Sequence, residues 1–218
     1  MRYSEKLKHY MSNHPITSLI LLVNFVMTLI LWLDGNFSLS SLVKYGGLNP
    51  ILITQYHEYY RLITVMFLHG SLIHFLLNSF AIYYIAGQME LMLGPLKYAL
   101  LYFISGLGSS ALVVLLGDPL VVTVGASGAI FGILGGMLML TFTRTKWFTP
   151  SGIRSIRQLT IINLAITFLL PTISKEGHIG GLLTGIILFY FITPEIPYYY
   201  AKLKNKKINV TKKDQFDY

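Results

Sequence analysis

The chain has 218 residues, 54% of them hydrophobic and only 12% charged, with a formal net charge of +8 and no cysteine. This balance excludes an ordinary soluble domain and fits a polytopic membrane protein, with room for roughly six spans of about 20 residues joined by short loops. Zero cysteines exclude a disulfide framework, a thiol nucleophile and a Cys-based metal site. The basic residues are confined to a few loops and the tail, which reads as membrane topology rather than a nucleic-acid surface.

Residues 1–15 are polar and basic and are expected to form a cytoplasmic N-terminal segment. The first apolar run, Ile16 to Leu33, is long enough to remain as a span, and no A-x-A-like cleavage site follows it. Residues 34–67 form a long connection with Gly46-Gly47, Asn49-Pro50 and the tyrosines Tyr56, Tyr59 and Tyr60. A structureless loop of that length is unusual, so short interfacial helices are expected there. The second span is expected from about Leu68 to Met92, ended by Gly94-Pro95, and the third from about Leu96 to Leu116, ended by Gly117-Asp118-Pro119. The fourth runs from about Ala126 to Phe142. A basic loop over 143–157 precedes the fifth, Ile156 to Ile173, and the sixth runs from His178 to Ile192. Residues 16–194 thus make one all-α, six-helix membrane domain, and 195–218 a basic cytoplasmic tail in contact with membrane lipid.

Fourteen of the 17 Lys and Arg residues fall on one side of this topology, leaving Lys44, Arg61 and Lys175 on the other. The positive-inside rule then places both termini in the cytoplasm, and the expected setting is a bacterial cell membrane. The fourth and sixth spans both begin on the outer side. Ser127 and His178 each lie within a turn of those starts, at similar depth.

A lone serine in a membrane helix ordinarily serves packing or hydrogen-bonds its own backbone, and a lone histidine at a helix end faces water. Together, serine and histidine are the minimum pair for nucleophilic catalysis. Two glycine ridges strengthen the pairing. Gly128, Gly132 and Gly136 run along the fourth span, and Gly177, Gly181 and Gly185 along the sixth. Glycines at four-residue spacing let helix backbones approach closely. If the ridges face each other, Ser127 and His178 are brought together. His74 and Asn78 share one face of the second span at i, i+4 spacing and could donate to a developing negative charge or bond neighbouring helices. Asp118 and Glu176 are expected in solvated outer loops, His69 is read as structural, and Glu90 as a helix-packing or interface residue.

Four patterns in order resemble the rhomboid family of intramembrane serine proteases. They are Glu58-x-x-Arg61, Phe67-Leu68-His69 followed by His74-x-x-x-Asn78, Gly125-Ala126-Ser127-Gly128, and His178-x-x-Gly181-x-x-x-Gly185. The resemblance implies a six-helix, rhomboid-like bundle with a Ser-His dyad in a wet cavity. It implies cleavage of membrane-anchored protein substrates near the outer end of their transmembrane segment, with no cofactor or metal. Carried over by position, it implies Ser127 as nucleophile, His178 as base, and His74 and Asn78 as oxyanion-stabilising groups. Two places depart from the family. Tyr59-Tyr60 stands where a tryptophan is frequent, and Phe131 stands where some members stack a tyrosine on the histidine. A phenyl ring still stacks but donates no hydrogen bond. A catalytically silent relative that binds membrane helices remains open, as does a small transporter lined by His74, Asn78 and His178.

Overall fold

The computed structural model describes residues 3–204, and within them the chain is helical with no strand. Met1, Arg2 and the part of the basic tail from 205 to 218 lie outside the described residues. The opening segment, read from sequence only as polar and basic, is helical as α1 (Tyr3–Asn13). Tyr10 anchors it, stacking on His14 at 4.2 Å and on Tyr83 at 4.5 Å between ring centroids.

Helix α2 (Pro15–Leu33) opens with proline at its first turn, where the missing N–H costs nothing. Its other free amides are met from far along the chain. Glu90 accepts from the backbone N–H of Ile16 and of Thr17, both at 2.9 Å, and from the Thr17 hydroxyl at 2.6 Å. Glu90 is 1% exposed. A carboxylate at the positive end of a helix, with three charge-assisted bonds, offsets the cost of its own burial. Glu90 is therefore a long-range helix cap, a more specific role than the packing residue expected.

The long connection carries α3 (Leu39–Lys44), α4 (Pro50–Thr54), α5 (Arg61–Thr64) and a 3₁₀ turn over Val65–Phe67. Ser38 caps α3 and Asn49 caps α4, each through its side-chain oxygen. Arg61, 4% exposed, ties the segment together. It pairs with Glu58 and donates to the carbonyls of Val43 and Gly47, each at 2.8 Å.

The second long helix begins at Leu72 rather than Leu68, because Ser71 caps it and Leu68 is buried in an extended conformation. It runs as α6 (Leu72–Ala81), a π turn over Ile82–Ala86, and α7 (Gly87–Leu93). Gly94, at φ +82, makes the reversal into α8 (Pro95–Leu116). A β-carbon on Gly94 would meet the Tyr198 ring at 2.9 Å. Helix α9 (Ser127–Thr143) is central, buried along most of its length against α8 and α11.

Helix α10 corrects the sequence reading. It spans Pro150–Leu169, starting six residues before the expected Ile156 and ending before the expected Ile173. Thr149 caps it, accepting from Gly152 N–H at 3.1 Å, and Pro150 fits the first turn, so much of the supposed basic loop is helix. It is pinned to α9 near its middle by Arg157, which donates to the Thr141 hydroxyl at 3.1 Å and carbonyl at 3.0 Å and lies over the Phe142 ring at 4.1 Å. Helix α11 (Lys175–Ile192) starts three residues earlier than expected, capped by Ser174.

Pro15–Leu33, Leu72–Leu93 and Pro95–Leu116 are long and apolar enough to cross a membrane, and α9 is apolar over 17 residues. Leu22, Phe25, Leu77, Phe80, Ile161 and Phe168 are all exposed, the kind of outer surface that lipid rather than water covers.

The cap at Glu90 is testable. Glu90→Ala removes three bonds to a charged acceptor and should cost about 2–3 kcal/mol, whereas Thr17→Val, which loses one, should cost about 1 kcal/mol. Thermal unfolding in detergent measures both. Equal midpoints for Glu90→Ala and wild type would dismiss the cap.

Candidate active site

The site is assembled where α9 begins. The segment before it is clipped to the long connection. Leu48 and Thr123 exchange two backbone bonds of 2.9 and 2.8 Å, Gly125 N–H donates to Val65 O at 3.0 Å, and Asn49 Nδ2 donates to Pro119 O at 2.8 Å. Gly125 holds φ +133, a conformation that L side chains rarely adopt. A β-carbon there would sit 2.8 Å from His74 Nε2 and 3.5 Å from Ser127 Oγ. The bare glycine thus leaves one small space that both side chains border.

Ser127 is the first residue of α9, half-buried, with the helix's unsatisfied amides beside it. His178 lies in the first turn of α11 and is 8% exposed. The two line a common cavity of about 20 Å³ with Gly125, Ser109 and Gly177, a space for roughly one water molecule.

Glycine contacts bring these helix ends together. A β-carbon on Gly181 would collide with the Gly128 carbonyl, and one on Gly185 with the Gly132 carbonyl. From the other side, a β-carbon on Gly132 would come within 3.1 Å of the Gly181 carbonyl. The ridges do not match to their ends. Gly136 faces Met89, Leu101 and Phe189 side chains, while Gly135, outside the sequence ridge, meets the Leu182 carbonyl. Helix α8 closes the third side with Ser105 against Gly132 and Ser109 against Gly128.

Phe131, one turn after Ser127, stacks on the His178 ring with centroids 4.0 Å apart and planes 19° from parallel. Asn78 is buried and its amide nitrogen has no hydrogen-bond partner among the described residues. His74 is half-buried with its ring edge-on to the buried His69, 5.2 Å between centroids. Asp118 is exposed and caps its own turn, accepting from Leu120 N–H at 2.8 Å, while Glu176 sits half-buried in the first turn of α11.

One contact was not anticipated. Thr167 Oγ1 lies 2.8 Å from His178 Nδ1 and also donates to the Asn163 carbonyl at 2.8 Å. The available signal was the pair Asn163 and Thr167, polar residues at i, i+4 within an apolar run. Among the described residues no cluster of three or more His, Asp or Glu could hold a metal ion.

This is an all-helical integral membrane protein with a serine and a histidine facing one small buried space between glycine-packed helices. The chain belongs to the rhomboid family: the Rhomboid domain model matches residues 56–195. It is 38% identical over 157 residues to RHOMBOID-like protein 6, mitochondrial, of Arabidopsis thaliana, covering 71% of this chain and 50% of that protein. It is 34% identical over 171 residues to Rhomboid protease GluP of Bacillus subtilis (strain 168), covering 78% of this chain and 33% of that one. It is also 31% identical over 149 residues to Inactive RHOMBOID-like protein 8 of Arabidopsis thaliana, covering 67% of this chain and 42% of that one. The chain spans half or less of the length of these relatives.

The glycine contact sets a prediction. Gly181→Ala forces α11 off the α9 backbone and should destabilise the fold by about 1–3 kcal/mol. Gly152→Ala, on exposed α10 with its nearest neighbour 3.3 Å away, should do far less. Comparable unfolding midpoints for the two variants would contradict the backbone contact.

Proposed function

We propose that this chain is an intramembrane serine endopeptidase that cuts membrane-anchored proteins near the outer end of their transmembrane segment, using Ser127 and His178 as a dyad. The observation that carries the reading is the shared cavity of these two residues, with the imidazole held against Phe131. Membership of the rhomboid family, with a rhomboid protease among the relatives, supports it.

The chemistry follows from the groups. Serine is a weak nucleophile until a base takes its proton, and neutral imidazole is suited to that task. Ser127 Oγ attacks the scissile carbonyl as His178 accepts the proton. The tetrahedral oxygen draws hydrogen bonds from the Ser127 backbone N–H at the start of α9, from the unpartnered Asn78 amide, and from His74. The imidazolium then protonates the leaving amine, and water, activated by the same ring, hydrolyses the acyl-enzyme. A carbonyl inside a helix is bonded and shielded, so a substrate segment must unwind beside Ser127, where its freed backbone groups find polar partners. Gly, Pro or polar residues at the boundary lower that cost.

The reading includes six spans over 16–194, with α9 to α11 completing the set begun by the three longer apolar stretches. Both termini are proposed to be cytoplasmic, by the Lys and Arg asymmetry. A bacterial cell membrane is the proposed setting, on the Bacillus relative. A catalytically silent member is the second reading, since one relative is named inactive.

A fluorophosphonate separates the two. Ser127 should be labelled in wild type, and labelling should vanish in Ser127→Ala and His178→Ala, both folded and both unable to cut a membrane-anchored reporter. Cleavage at the wild-type rate by Ser127→Ala would overturn the assignment. In the same assay Asn78→Ala should retain activity at a lower rate, since losing one oxyanion donor costs at most roughly 10²–10³-fold. An unchanged rate would make Asn78 structural. Reporters fused near Asp118 and at the N-terminus should read opposite sides of the membrane, and a shared side would invert the proposed topology.

A further inference from the structure

We propose that Thr167 is a positioning residue for His178. Its hydroxyl accepts the Nδ1–H of the imidazole, and this leaves Nε2 as the unprotonated nitrogen that takes the Ser127 proton. The inference rests on the dyad reading above and adds a third member, on a different helix.

A hydroxyl has one proton to give. Thr167 Oγ1 is 2.8 Å from the Asn163 carbonyl, four residues back on α10, in the geometry by which threonine bonds its own helix. The same oxygen is 2.8 Å from His178 Nδ1. With the proton spent on Asn163, the oxygen can only accept from the ring. The reverse arrangement, Thr167 donating to Nδ1, would put the ring proton on Nε2. That tautomer cannot act as a base toward Ser127.

The surroundings hold the arrangement in place. Thr167 is 1% exposed, so water does not compete for its hydroxyl. Its β-branched side chain has few rotamers in a helix. The Asn163 amide is turned back to the Leu159 carbonyl at 2.8 Å and does not intrude. Phe131 of α9 covers one face of the ring. His74 of α6 lies beside Gly125 at the edge of the same cavity, and Glu176 is the acid nearest in sequence on the histidine's own helix.

The contact also suits the reaction. As Nε2 takes up a proton, positive charge develops on the ring and Nδ1–H becomes a stronger donor. The chain Nδ1–H to Oγ1–H to carbonyl then strengthens in step, since linked hydrogen bonds polarise one another. An aspartate does this in the serine-protease triad with a full charge. Thr167 does it with a dipole.

The placement of Thr167 has no other evident purpose. Helix α10 is the most exposed of the long helices, with only Thr160 and Thr167 buried. Thr160 bonds within its own helix. Among the described residues, the polar bonds from α10 to other helices are Arg157 to Thr141 near its middle and Thr167 to His178 near its C-terminal end.

The test uses the full chain in detergent or liposomes, with Thr167→Val, which keeps the shape and removes the hydroxyl, and Thr167→Ser, which keeps the hydroxyl. Two quantities are read: kcat and KM on a membrane-anchored reporter, and the tautomer of His178 from ¹⁵N chemical shifts of ¹⁵N-histidine protein, with His178→Ala assigning the signal. Wild type should show a neutral ring protonated at Nδ1. Thr167→Val should lose that preference and drop kcat by roughly 10- to 100-fold, as expected for an orphaned buried donor, with KM within about twofold. Thr167→Ser should recover most of kcat and the Nδ1–H signal. A wild-type ring protonated at Nε2 overturns the proposal, and so does a Thr167→Val protein with wild-type tautomer and kcat. If Thr167→Val does not fold, the wild-type tautomer and Thr167→Ser decide alone. Failure of the dyad has a different signature: wild type and His178→Ala take up fluorophosphonate equally, whichever tautomer the ring shows.

Discussion

The arrangement depends on one contact, backbone against backbone, between α9 and α11. Lipid gives apolar side chains no reason to leave it, so helices in a membrane associate through close packing and polar bonds rather than through burial from water. Carbonyls of Gly128 and Gly132 lie where β-carbons of Gly181 and Gly185 would be. No larger side chain permits that approach. It sets the depth and rotation of both helices at once, and with them the starts of α9 and α11. The serine and the histidine are 51 positions apart in the chain, yet Ser127 directly precedes Gly128 of this contact and His178 lies one turn before Gly181.

A second constraint sets where α9 begins. The amide of Gly125 is held by Val65, and Thr123 by Leu48, so the long connection grips the approach to the helix. That connection is itself organised by a buried arginine. Arg61 spends its donors on Glu58 and on the Val43 and Gly47 carbonyls of the same segment, which pair the buried guanidinium. The tyrosines around it stay exposed. The connection carries the short helices its length calls for, and its role toward the site is to fix a helix start.

What the sequence made legible follows from the kind of signal each feature has. Glycine spacing and proline breaks are local, and they give the starts of α9 and α11 and the ends of α7 and α8 within a few residues. Glu90 was seen as an acid near a helix end, but its partners, Ile16 and Thr17, lie more than 70 positions away, and no periodicity encodes that pairing. The start of α10 was missed for a different reason. The Arg and Lys content of 143–157 reads as a loop, yet Thr149-Pro150 inside it is a helix-start signal. Thr167 carries only the weak signal of its i, i+4 pairing with Asn163, because a threonine in an apolar run ordinarily bonds its own helix. This one does so too, and the second contact exists only through the docking of α10 on α11.

The membrane accounts for why the histidine's partner is a threonine. A carboxylate beside the imidazole would hold the tautomer more firmly, but buried among these helices it would carry a desolvation cost of several kcal/mol. The described residues contain one such carboxylate, Glu90, and three donors at a helix terminus surround it. On the Nδ1 side of His178 the polar partner is the Thr167 hydroxyl, and the Phe131 ring covers one face. A hydroxyl that has given its proton to a carbonyl offers an oriented lone pair without a charge to desolvate. Its hold on the ring is weaker, so the stack on Phe131 carries the rest of the orientation. Division of the task between a neutral acceptor and an aromatic face orients the ring in a low-dielectric site without burying a second charge.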